Sequence, residues 1–348
     1  MKHQNELEER AARYQEYLSA LAESAKQRPE NDLTRFVTLS MCRKIGSVFE
    51  AAVEIDASDA TLLGSTRYLL EALIVSNLLR QEPEYVFKAC FAVVLGDIEQ
   101  NERMLERAKN DIHALREVSE LHEPRFQKIQ GDFVKVLSKG EIGRRSRKHE
   151  RGYSAFQSKL KVLEDKIVSD LENRHTSFCL GVGDFLEQSQ FSDFQKAPVT
   201  LGFYAHKLES EAVPIYESTV REKCENKEET QKALSKDSVF HSFFEKCQPS
   251  KVATLLKDKR SWKAKSIDAG LEKEYEFVYG YSSQLLHCIA YSFITPQELA
   301  EHERQIFVTS SVGYLGNLVK SLERFLRERK PILTNSFEPS LGKLEVLF

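Results

Sequence analysis

The chain has 348 residues, of which 41% are hydrophobic and 30% charged, with only 15 glycines and 9 prolines. That balance favours a long-helix protein over a β-sandwich or a disordered chain; the length fits one large helical domain or two modest ones. A net charge of -3 excludes a polycation that binds nucleic acid over its whole surface, so any such contact must be local.

The charged N-terminus has no apolar core, so no signal peptide is expected. Residues 3–27 predict an amphipathic helix with Leu7, Ala11, Tyr14, Leu18 and Leu21 on one side. After the break at Gln27–Asp32, Asn31 or Asp32 can cap a helix running to about Ala57, with Phe36, Leu39, Ile45, Phe49 and Val53 facing a core. A turn at Asp56–Asp59 leads into Leu62–Leu79, an almost continuously apolar helix that should be largely buried. It carries Arg67 and Glu71 one turn apart, and a buried charge is costly unless paired in this way. Pro83 ends it, and a further apolar helix is predicted from about Glu84 to Leu95.

From Gly96 to about Arg174 the composition turns charged, with spaced apolar residues such as Ile98, Ile112, Leu115, Leu160 and Leu163. This predicts a coiled-coil-like helical hairpin, an arm over 96–175, with 1–95 and 176–343 as the core. The tip, Lys139–Arg151, holds six Lys/Arg against two Glu. It reads as a solvated turn, or as a phosphate-contacting tip through Arg144, Arg145, Arg147 and Lys148. Gly181 and Gly183 lack phosphate-loop spacing and read as a connection. A charged helical stretch from His206 to Cys247 is expected to break at Pro214 and near Ser235–Asp237. Pro249 opens the next helix, and residues 297–329 predict a long closing helix. Leu344–Phe348 resemble the remnant of an engineered protease site and are left out of the fold.

The six cysteines are scattered singly, which fits reduced thiols in a cytoplasmic protein. No run of eighteen apolar residues occurs, so no membrane span is expected. No carboxylate cluster has metal spacing; neither a metal nor a cofactor is expected.

The chemistry concentrates between Trp262 and Tyr291. Trp262-Lys-Ala-Lys-Ser-Ile267 precedes a helix in which steps of three and four join Tyr279, Ser283, His287 and Tyr291. His287 is either a hydrogen-bonded core residue or an acid/base group, since imidazole titrates near working pH. Ser283 has no nucleophile elbow around it. Tyr275 and Tyr279 could bond a phosphate or simply pack, and Trp262 reads chiefly as a packing anchor. Arg67 and Glu71 read as a register-fixing ion pair or as part of a binding pocket.

These residues carry a resemblance. Arg67-x-x-x-Glu71 on an early helix, Trp262 with Ser266-Ile267, then Tyr275-x-x-x-Tyr279-x-x-Ser282-Ser283-x-x-x-His287 resembles the bacterial family called domain of unknown function 5677. That family is grouped with HEPN-like all-helical proteins, many of them toxin or phage-defence ribonucleases. The resemblance covers roughly residues 33–95 and 245–330. It implies an all-α fold, a HEPN-like helical bundle with the hairpin as an insertion. It further implies a metal-independent endoribonuclease in antiviral defence or stress, acting on RNA through His287, with Arg67 as the cation and Glu71 orienting it. A homodimer and a cognate regulatory protein are the implied partners. HEPN ribonucleases usually carry an Arg four to six residues before the His, and positions 280–286 here hold none. The alternative is a non-catalytic HEPN-like module that binds a nucleotide, a nucleic acid or a protein.

Overall fold

The computed structural model describes residues 2–53, 58–138, 145–174, 198–286 and 299–341. The fold is all-α. Among the described residues there is no strand, only an isolated bridge between Asp32 and Leu333. The chain divides into two compact units, Met1–Leu95 with Glu225–Phe348, and Gly96–Cys224.

In the first unit the helices α1 (Lys2–Lys26), α2 (Leu33–Val53) and α3 (Asp59–Gln81) follow one another. Ser58 caps α3 by accepting the Thr61 N–H at 3.2 Å. At its other end Glu82, the residue before Pro83, is extended, because proline sterically disfavours helix at the position it follows. The closing helix α12 (Glu301–Glu328) packs on α1, α2 and α3. Leu69 and Leu73 of α3 meet Leu18 and Leu21 of α1, Ile45 and Phe49 of α2, and Leu315, Leu318 and Leu322 of α12 in one core. A second face of α3 buries Leu62 and Leu63 against Phe307. Two polar pairs fix the register of α3 on α12. Buried Thr66 and Ser311 share a hydrogen bond of 2.8 Å, and Ser321 donates to Asn77 at 3.0 Å.

By length and apolarity α3 could cross a membrane, but it is the central core helix here and most of its apolar window is buried. Its neighbours remove from water the surface that lipid would otherwise cover.

The segment after α12 returns to the start of α2. Leu33 N–H donates to the Ile332 carbonyl at 3.1 Å and Thr334 N–H to the Asn31 carbonyl at 3.0 Å. Arg28 donates to Asp32, to Thr34 and to the carbonyls of Leu326 and Arg329, so one guanidinium satisfies the C-terminus of α12.

The helix α4 (Tyr85–Ser138) runs unbroken for 54 residues. Expectation had a short helix to Leu95 followed by a separate arm. Only Gly96 stands at that junction, and one glycine costs a helix about 1 kcal/mol, which does not break it. Pro124 is carried inside the same helix. Phe87 anchors its first turns by ring contacts with Phe240, Phe243, Phe244 and Phe337.

In the second unit the later part of α4 and α5 (Arg145–Asn173) lie antiparallel. Phe133 stacks on Phe156 at 4.4 Å, His122 meets Asp170 at 2.7 Å, and Glu117 meets Arg174 at 3.2 Å. Two further elements join them, α6 (Pro198–Lys207) and the first part of α7 (Val213–Leu234), linked by a π-helical turn at Leu208–Ala212. Leu201, Tyr204, Ala205 and Val213 complete a core with Leu115, Val118, Leu160 and Leu163. The pairs Arg116–Glu209, Lys109–Glu217 and Asp97–Lys223 run the π turn and α7 antiparallel to α4 as well. The unit therefore has a third helical layer, and its bounds reach Cys224 where the sequence had ended the arm at 175. Pro214 does not end the helical run; the chain passes through it in helical geometry directly after the π turn, whose last N–H bond, Val213 to the Leu208 carbonyl, is of the wider type.

Candidate functional site at the seam of α3 and α11

Beyond α7 come α8 (Ser238–His241), α9 (Pro249–Leu256), α10 (Trp262–Asp268) and α11 (Glu272–Leu286). Pro249 occupies the first turn of α9, and Ser261 caps α10 through the Ala264 N–H at 3.2 Å. Gly270 turns the chain between α10 and α11 with φ of 72°, a left-handed value that suits glycine. Both α10 and α11 pack on α3.

This packing brings four of the sequence candidates together. Arg67 Nε donates to the Glu71 carboxylate at 3.0 Å. The guanidinium carbon stands 4.6 Å from the ring centre of Tyr279, a cation–π contact between α3 and α11. One turn back on α11, Tyr275 stacks on Tyr279 at 5.2 Å with 19° between the rings. Burial pushes the Tyr275 hydroxyl above its ordinary range, with the Tyr279 hydroxyl adding to the effect.

The pair is not deeply buried. The Arg67 side chain is 29% exposed and that of Glu71 20%. Although α3 is the core helix, Arg67 lies on its edge, on the flank that α11 only partly covers. Among the described residues the Nε–Glu71 bond is the guanidinium's only hydrogen bond, and the side chain keeps 29% of its surface exposed. Three restraints on one arginine, a carboxylate, a ring face and a helix backbone, suit a group that must meet an anion without reorganising.

Ser283 is half-buried four residues beyond Tyr279 on α11, and its neighbour Ser282 is fully buried. His287 and Arg144 lie outside the described residues. Arg145, Arg147 and Lys148 fall in the first turns of α5, with their side chains outside the description. Trp262 opens α10, half-buried, with Lys265 Nζ 4.9 Å from its ring.

The sequence passed over a second cluster on the same elements. Arg260 donates to Asp258 at 3.0 Å, to Asp268 at 2.9 Å and to both oxygens of Glu82, which stands at the end of α3. Burial pushes the Asp258 carboxyl up, but Arg260 and Lys265 outweigh that and hold it down to about 2. The only signal in the sequence was two aspartates inside a basic run, which reads as solvated charge. Among the described residues no three His, Cys, Asp or Glu side chains converge as a metal site requires.

Comparison with protein-family models, with curated proteins and with solved structures finds no match to this chain.

Proposed function

We propose that the α3/α11 seam is the phosphate-recognising site of a HEPN-like, metal-independent endoribonuclease, with His287 as its acid/base group. The observation that carries this is the Arg67 guanidinium, oriented by Glu71 and Tyr279 and part-exposed. The described part of α11 ends at Leu286, immediately before His287 in sequence.

In this reading the RNA 2′-oxygen attacks the adjacent phosphorus. Its proton passes to a base, a proton is returned to the departing 5′-oxygen, and the ends are a 2′,3′-cyclic phosphate and a 5′-hydroxyl. Arg67 stabilises the negative charge that grows on the phosphoryl oxygens. Imidazole suits the proton transfers because its ordinary pKa is close to working pH.

Pure wild-type protein should cleave single-stranded RNA in EDTA and leave cyclic phosphate ends. His287→Ala should slow cleavage by about 10²–10⁴-fold. In cells, growth arrest on expression should be relieved by the same substitution, as a toxin reading requires. Light scattering should give a homodimer. The absence of arginine over positions 280–286 favours the other reading, a module that binds a nucleotide, nucleic acid or protein without cutting. RNA binding by wild type without any cleavage would establish that reading instead.

A further inference from the structure

We propose that single-stranded RNA reaches Arg67 along the exposed flank of α10 and α11, from Lys257 and Lys259 past Trp262 to Tyr279. The inference rests on the ribonuclease reading and assigns the path by which its substrate arrives.

Between Pro249 and Asp268 the chain carries six Lys/Arg against two Asp. The structure sorts these charges. Arg260 holds Asp258, Asp268 and Glu82, and Lys265 lies 3.4 Å from Asp258, so the acids are consumed internally. Lys257 and Lys259 are exposed and form no ion pair among the described residues. They extend the positive charge beyond the neutralised node.

Between Lys259 and Tyr279 the exposed residues of α10 and α11 include Lys263, Glu272 and Glu276, and Tyr279 is itself exposed. Lys263, next to Trp262, bonds Glu276 of α11 at 2.7 Å. Glu276 and Tyr279 are three apart and share a helix face, and Tyr279 covers Arg67. Three contacts place α3 beneath this path. Arg67 lies under Tyr279, Asn77 donates to the Ala269 carbonyl at 3.3 Å, and Glu82 binds Arg260. Arg67 to Glu82 spans about 22 Å at the helical rise. A basic end, a ring partway and a fixed arginine at the far end are what a single strand requires: phosphate contacts plus aromatic faces for unstacked bases. A duplex would hide those faces.

Trp262 is the only tryptophan of the chain, so it reports on this surface directly. Oligouridylate of about ten nucleotides, titrated into the full chain carrying His287→Ala so that the strand survives, should quench Trp262 fluorescence. In Lys257→Ala/Lys259→Ala the slope of log affinity against log salt should fall by about 1.4, since each single-strand phosphate contact contributes about 0.7. No quenching, an unchanged slope, or equal quenching by a polyglutamate would overturn the proposal. Quenching and slope loss in a protein that never cleaves RNA would leave the path standing and remove the ribonuclease reading. Cleavage by wild type with an unchanged slope would do the reverse.

Discussion

The carboxylate of Asp32, fully buried, accepts the backbone N–H of Ile332 at 2.9 Å, a contact across 300 residues of chain. The same carboxylate accepts the Thr34 N–H and hydroxyl and is paired with Arg28. Removing it takes the acceptor from three donors, the N–H groups of Ile332 and Thr34 and the Thr34 hydroxyl, and takes the counter-charge from Arg28, which keeps the carbonyls of Leu326 and Arg329. Asp32→Ala should therefore lower the unfolding free energy by about 3–5 kcal/mol. Denaturant titration followed by Trp262 fluorescence, which reports on the same unit, measures this directly. A loss under about 1 kcal/mol would mean that water replaces the carboxylate.

Arg67→Ala should behave quite differently. The pair with Glu71 is part-exposed at i,i+4 spacing and contributes about 0.3–0.5 kcal/mol, with about 0.5–1 kcal/mol more from Tyr279. The variant should fold, with circular dichroism melts a few degrees below wild type at most, and Arg67→Ala/Glu71→Ala should melt close to it. Loss of RNA cleavage or binding in both variants then reports on chemistry. Recovery of function in the double variant would show that the pair only sets helix register.

Gly316 of α12 faces the Tyr14 ring of α1 so closely that an added Cβ would lie 2.6 Å from its Cζ. Gly316→Ala must push the ring aside and should cost about 1–3 kcal/mol. Adding Tyr14→Leu should return part of that, an interaction energy that a double-mutant cycle in denaturant would expose. Additive costs would show that the ring swings freely.

Acid sensitivity follows from Asp258. Its folded-state pKa of about 2 lies below the value of about 3.9 expected in the unfolded chain. The charged form thus favours folding fully above about pH 4, and the contribution fades as pH falls from about 4 to about 2. Asp258→Asn should melt lower than wild type at neutral pH and lose less on acidification across that window. Thermal midpoints that fall in parallel for the two proteins would rule Asp258 out as a contributor.

Helix boundaries were legible at Pro83, Pro249 and the Asp56–Asp59 turn, where a proline or capping residue stands at the end of a helix, whereas Gly96 and Pro214 lie inside continuous helical runs. Asp32 was legible as a cap but not as a hub, because its decisive partner Ile332 sits at the other end of the sequence. The helical period placed Tyr275 and Tyr279 on one face of α11. That this face meets Arg67 is a tertiary fact that no local pattern contains. Arg260 escaped notice for a related reason: in sequence its acids look like neighbours in a charge run, whereas Glu82 reaches it from the end of α3. The third layer of the second unit was missed because the seam looked two-helical until Tyr204 and Val213 were seen to fill it.

The placement of α3 has a further consequence for how the protein is made. Its 23 residues are apolar on faces that α12 covers, yet α12 begins 220 residues after α3 ends. At a synthesis rate of about 5–20 residues per second, α3 waits roughly 10–45 s for its principal partner. During that interval α1 and α2 can shield only part of it, and the remainder offers chaperones an extended greasy ligand. Stalled ribosomes or stop codons ahead of α12 should therefore yield a nascent chain bound to a holdase or in aggregates.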